Sequence, residues 1–283
     1  MTYRTNTMTN DPSAPDVNEI VRKETCSVSA VRRIAAMLDV DPDEYKEGGV
    51  LPLGWHFILL AGDTRRSEVR GDGFPGLGVP IPDLGLPRLL LGSRTVDARE
   101  DLIIGSNYDR HSWVDSIVQK EGKAGPMAIV SIAHDLVDPL SARVVLHEVQ
   151  TYILLGAAPY TSRETAQLEL PENVTTIVPD DILLFQYSAL GFNSHKIHID
   201  RAYARDVEGY PDIVVNGGLS SLLLLEHLRN RDARQAVKIV AKHHLPLFSG
   251  KPIHIHTEDV EGGLKLKALD HSGALSVEIH VEF

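Results

Sequence analysis

The chain has 283 residues, enough to bury a sizeable core in one large or two modest domains, and its 43% hydrophobic and 24% charged residues are ordinary for a globular protein. A formal charge of −11, from 28 Lys plus Arg against 39 Asp plus Glu with no long basic block, argues against nucleic acid or an anionic membrane as partner. The single cysteine, Cys26, excludes an intrachain disulfide and a cysteine-based metal site, and fits a reducing, cytoplasmic compartment.

Residues 1–18 are polar, with acidic groups and no apolar core, and read as a disordered tail rather than a secretory or transit segment. Val28, Val31, Ile34, Ala35 and Leu38 then recur at helical spacing and predict an amphipathic helix over about 27–38. The Gly- and Pro-rich segment 71–85 predicts an irregular loop, a candidate cover for a substrate opening. Strands are predicted at 94–98, 106–119, 127–136 and 142–153. Residues 156–178, with Pro159 and Pro171, predict a linker between a first half, 19–155, and a second half, 179–283.

In the second half the apolar pattern predicts a strand over 181–188, a loop carrying Asn193, His195 and His198, and a short helix from Arg201 capped by Asp200. A strongly apolar helix opening on Gly217 and Gly218 is predicted over 217–230, followed by strands at 233–244, 252–258, 263–270 and 275–282. One apolar helix against several antiparallel strands makes an α+β layer. The run Leu219–Leu225 is too short to span a bilayer.

Three groups able to handle protons or water stand together at Asn193, His195 and His198. Neutral imidazole accepts and returns a proton near neutral pH, which makes His198 the acid–base candidate; the plainer alternative is a histidine that bonds a carbonyl or caps a turn. Asn193 can orient water but cannot take a proton. The unpaired N–H groups of Gly217 and Gly218 at a helix start could hold an oxyanion, and the plainer alternative there is a turn needing positive φ. His195 and His198 have His-x-x-His spacing, yet no third ligand stands at a recognisable spacing, so no metal is assigned. Ser188 lacks the Gly-x-Ser-x-Gly elbow, and Gly76-Leu-Gly lacks the helix of a nucleotide fingerprint.

The pieces Tyr187-Ser-Ala, Phe192-Asn-Ser-His-Lys-Ile-His198, Glu208-Gly-Tyr-Pro211 and Val214-Val-Asn-Gly217, in that order, resemble the MaoC-like, hotdog-fold acyl-thioester dehydratases and hydratases. The likeness is closest to the branch of mitochondrial-type 3-hydroxyacyl-thioester dehydratases and mesaconyl-CoA hydratase. It extends upstream through Pro52-Leu-Gly-Trp-His56, Leu86-Pro-Arg88 and Gly122-Lys-Ala-Gly-Pro126.

The resemblance implies a double hotdog, two antiparallel sheets each wrapped around a central helix, with catalysis in the second half and the acyl pocket shaped by the first. It implies a hydro-lyase acting on an acyl thioester of coenzyme A or an acyl-carrier protein, without metal or redox cofactor, and leaves self-association of the chain open. Aligned with the wider group's Asp-x-Asn-Pro-x-His, His198 takes the final His, Asn193 the place of the acid and His195 the place of the Asn. Asn216 stands where the family usually has His, and Tyr187 joins Gly217, Gly218 and Asn216 as a substrate-binding candidate. Two rivals are a hotdog thioesterase, opposed by the lack of an acidic residue within 193–198, and a non-hydratase acyl-binding or cyclase-type protein using the same pocket.

Overall fold

Among the described residues, ten strands form one antiparallel sheet whose order, β1-β3-β4-β5-β2-β7-β10-β9-β8-β6, repeats the same pattern outward from its middle. The computed structural model describes residues 19–122, 125–161 and 167–283; the predicted tail 1–18 lies outside them. In chain order the strands are β1 Ile20–Thr25, β2 Arg88–Ala98, β3 Asn107–Gly122, β4 Gly125–Val137, β5 Val144–Leu155, β6 Thr175–Ile177, β7 Lys238–His243, β8 Ile253–Val260, β9 Gly263–Leu269 and β10 Leu275–Glu282. Replacing each of β1 to β5 by the strand five places later turns one half of the sheet into the other. The fold is a double hotdog, and its two sheets are joined edge to edge where β2 pairs with β7, Thr95 opposite Val240.

Helix α1, Val28–Met37, is capped by Ser27 Oγ accepting from Ala30 N–H at 3.2 Å and buries Val31, Ile34, Ala35 and Met37. Helix α4, Gly217–Arg229, buries Leu219, Leu222, Leu224, Leu225 and Leu228, so it is covered nearly all round, as its unbroken leucine run requires. The corresponding place in the first half holds only a 3₁₀ segment, Trp55–Leu60. That segment meets α4 directly: Trp55 Nε1 donates to Glu226 at 2.6 Å, and a Cβ on Gly54 would lie 2.8 Å from Leu225.

Residues 181–188 are not the strand that their apolar pattern predicts but part of helix α2, Asp181–Leu190. Asp180 caps it, accepting from Leu183 N–H at 2.8 Å, and the buried positions Leu184, Tyr187 and Ser188 follow a helical period while Ile182 and Phe185 stay exposed. α2 packs against α1. A short helix α3, Arg201–Asp206, follows, capped by Asp200. Strand β1 is absent from the sequence reading, and β6 falls inside the stretch read as linker.

Candidate active site

The chain leaves α2 through Phe192, at φ +50°, and turns back on itself. Asn193 Oδ1 accepts from His195 N–H at 3.0 Å, an Asx turn that shapes the loop, and a 3₁₀ turn over Lys196–His198 completes it. Val214 locks the loop to the strand-like approach to α4: its N–H donates to Ile197 O at 2.8 Å, and its carbonyl accepts from His198 Nδ1 at 2.7 Å. A carbonyl only accepts, so Nδ1 carries the proton and Nε2 is the open acceptor of His198. The His195 and His198 rings meet edge to face, 5.6 Å apart. Burial, reinforced by His195, lowers the His198 pKa to about 3 against the bond from Val214. Burial and Arg70 lower His195 to about 4. Both imidazoles are neutral at physiological pH.

The Gly- and Pro-rich segment of the first half docks on this loop. Asp72 O accepts from Lys196 N–H at 2.8 Å, Gly71 O from Lys196 Nζ at 2.7 Å and Gly73 O from Ser194 Oγ at 2.6 Å. Phe74 meets the His195 ring edge-on at 5.5 Å and lines the cavity below. Asp72 thereby brings a carboxylate that the 193–198 loop lacks, with Oδ2 3.7 Å from His195 Nε2. Its oxygens are already engaged, by Arg70 at 2.7 Å and by Phe74 N–H at 2.9 Å. One Asp amid glycines and prolines gave no sign of this in the sequence.

At the start of α4, Asn216 occupies the cap position without capping. Its Nδ2 donates to Ser188 Oγ at 3.4 Å and its Oδ1, buried, has no partner among the described residues. No described residue accepts from the N–H of Gly217 or Gly218. Neither glycine has positive φ, so the turn explanation does not apply. Space is what excludes a side chain. A Cβ on Gly217 would lie 2.9 Å from Leu91, and one on Gly218 only 2.1 Å from the Tyr187 hydroxyl.

All seven residues singled out from the sequence, Tyr187, Asn193, His195, His198, Asn216, Gly217 and Gly218, line one cavity of about 300 Å³. Residues from both halves enclose it, including Leu91, Arg94 and Tyr152 from the first. Sequence reasoning missed Arg94, Tyr152 and His243, and the carboxylate behind them. Glu148, wholly buried on β5, accepts from His56 Nε2 at 2.6 Å and from Gln150 at 2.6 Å, and its Oε1 lies 3.1 Å from Arg94 Nε. Burial pushes the Glu148 pKa up, but Arg94 and His56 outweigh it and hold it at about 2. Among the described residues no three His, Cys, Asp or Glu side chains gather to hold a metal ion. No described helix is long and apolar enough to cross a membrane.

A family model described as Hydroxyacyl-thioester dehydratase type 2 matches residues 54–248. The chain is 31% identical over 268 residues to Mesaconyl-C(4)-CoA hydratase of Chloroflexus aurantiacus, covering 93% of this chain and 94% of that protein. It is 38% identical over 206 residues to the mitochondrial Hydroxyacyl-thioester dehydratase type 2 of Schizosaccharomyces pombe, covering 62% and 66%. The crystal structure of a MaoC-like dehydratase from Phytophthora capsici superposes with a TM-score of 0.69 at 16% identity, covering 96% of each chain, a likeness of fold. With a family match that spans the cavity-lining loop and the start of α4, and a relative alike along nearly its whole length, the chain belongs to the hydroxyacyl-thioester dehydratase type 2 family.

Proposed function

We propose that this hydro-lyase adds or removes water across the α,β bond of an acyl thioester with His198 as its acid–base group and the N–H groups of Gly217 and Gly218 as its oxyanion site. The supporting observation is that His198, whose Nε2 is left as the open acceptor, and Gly217 and Gly218, whose N–H groups have no described acceptor, line one cavity. In the hydration direction, His198 Nε2 takes a proton from water as its oxygen bonds to the β-carbon. The electron pair moves to the thioester oxygen, where the α4 amides hold the enolate charge, an effect worth roughly 3 kcal/mol per donor. The imidazolium then returns its proton to the α-carbon, and dehydration runs the same steps backward.

Asn193 Nδ2, free of any described partner, and the neutral His195 orient the water, while Asn216 Oδ1 offers an acceptor at the mouth of the helix. Tyr187 closes the wall over Gly218. The reading includes a first half, 19–155, that shapes the pocket, a connector at 156–178 and a second half, 179–283, that supplies the chemistry, in a cytoplasmic protein whose only cysteine is buried and unpaired. Because both Asp72 oxygens are engaged, that carboxylate is a poor base for thioester hydrolysis.

Loss of enoyl-thioester absorbance at constant free thiol, measured on coenzyme A and acyl-carrier-protein thioesters, tests the reading and identifies the carrier. Thiol release without hydration would replace it with a thioesterase, and neither signal with an acyl-binding protein.

A further inference from the structure

Helices α1 and α2 are the same element of the two halves, and their ends fix the register between them. Each spans ten residues behind a side-chain cap, Ser27 for α1 and Asp180 for α2. The fourth, seventh and eighth positions are buried in both: Val31, Ile34 and Ala35 in one, Leu184, Tyr187 and Ser188 in the other. Two residues past each helix the backbone takes a positive φ, +59° at Asp39 and +50° at Phe192. The outer faces differ. Where α1 carries Ser29 and Arg32, its guanidinium paired with Asp43, α2 carries Ile182 and Phe185, 66% and 62% exposed. Asp39 is a residue type that tolerates left-handed backbone; Phe192 is not, and 57% of it is exposed as well. Eight of the thirteen large apolar side chains exposed among the described residues fall within 168–207, so the apolar surface belongs to this side of the second half and not to its first-half mate.

We infer that the outer face of α2 is an interface with a second copy of this chain, α2 against α2 about a two-fold axis. The charge around the face selects against other occupants. No Lys or Arg occurs from 172 to 195, Asp180 and Asp181 open the helix, and Arg201 is already engaged by Asp181 and Asp212. A phosphate-bearing carrier or an anionic membrane finds no cation there. An uncharged apolar face is complementary to its own copy, as a two-fold contact requires. The area agrees. Phe185 and Phe192 present roughly 100–150 Å² each, and with Ile182 and the exposed Ala189 the face reaches about 400 Å². A dimer of ordinary size takes about 800 Å² from each partner, a little over half of it apolar. Pairing also removes from water the Phe192 ring that opens the loop carrying His195 and His198. The inference stands apart from the thioester reading of the cavity.

Sedimentation equilibrium of the full chain over about 1 to 100 µM reads the association state, a range that spans the weaker dimers of ordinary interface size. The wild type is expected at twice the 31.1 kDa of one chain at the top of that range. Ile182→Ser with Phe185→Arg writes the outer face of α1 onto α2. It should weaken the dimer by more than ~100-fold and leave a monomer with native circular dichroism. Phe192→Asp should weaken the dimer too, and should raise the melting temperature of the dissociated chain, because Asp tolerates the backbone that Phe resists. Arg33→Ala, on the exposed face of α1, should leave the dimer unchanged. Raising NaCl to about 1 M, where the Debye length is about 3 Å, should not loosen it, because the contact is apolar and each copy carries −11. A wild type still monomeric at about 100 µM overturns the inference, whether or not the face then captures an acyl-carrier protein or lipid vesicles, and so does a double variant that folds and stays dimeric. Should the double variant fail to fold, the wild type and Phe192→Asp decide.

Discussion

Gly73 and Ser194 meet backbone to backbone: a Cβ at Gly73 would fall 2.1 Å from the Ser194 carbonyl oxygen, and Gly73 sits at φ +82°. The contact brings the first-half loop carrying Asp72 and Phe74 onto the loop carrying His195 and His198. Gly73→Ala is expected to push the two apart, costing about 1–3 kcal/mol of stability and at least ~10-fold in kcat. Thermal melting and steady-state kinetics check it; wild-type turnover in the variant would show that the docked loop is irrelevant to the site.

His198→Ala should lower kcat by more than ~100-fold while the circular dichroism spectrum stays native, because it removes the proton carrier and one bond to Val214. Turnover within a few-fold of wild type would move the chemistry to another group.

Asn193→Asp keeps the acceptor that His195 N–H needs and adds a negative charge beside two neutral imidazoles. The added charge favours their protonated forms and should move the acid limb of the pH–rate profile upward. An unshifted profile would place Asn193 away from the reacting groups.

The pH dependence of the wild type has a worked sign. A base must be neutral, and burial holds the pKa of His198 at about 3 and of His195 at about 4, so kcat/KM should stay flat from pH 8 to about 5 rather than fall near 6.5. Stability behaves differently. His134, at about 4, and His243, at about 3, are depressed by burial as well. These four groups contribute fully above the unfolded pKa near 6.5, and the contribution is lost as pH falls toward their folded values. Each loses at most about 1.4 kcal/mol per pH unit. Melting temperature should therefore drop between pH 6.5 and 4 while kcat/KM at 25 °C holds down to about pH 5; a melting temperature constant over that range contradicts the buried neutral state.

Gly218→Ala places a methyl group against the Tyr187 hydroxyl, and the expected result is a loss of at least ~10-fold in kcat/KM as the amide is displaced. Removing that hydroxyl as well, in the Tyr187→Phe double variant, should restore part of the loss. No recovery would mean that the clash with Tyr187 is not what disables the site.

Local order was legible where one residue's surroundings are made by its chain neighbours. The leucine run of α4 and the alternation of residues 275–282 point to their elements with bounds that the structure nearly repeats. The loop motif and the glycine pair likewise pointed to residues that line one cavity, because their spacing is set within about 30 residues. Residues 181–188 were misread because a short apolar run is compatible with both periods, and the deciding contacts, Arg201 and Ser249 on Asp181, lie far along the chain.

What only the tertiary structure decided is which faces are dry. Alternation separates the two faces of β5 but does not say which one meets water, and Glu148 and Gln150 look like a solvent face until β2 pairs with β7 and His56 closes over them. Arg94 and Asp72 reach the site from about 100 residues away for the same reason. Burial turns an ordinary arginine into the counter-charge of Glu148 and a loop aspartate into a neighbour of His195, and burial is a property of the assembled fold.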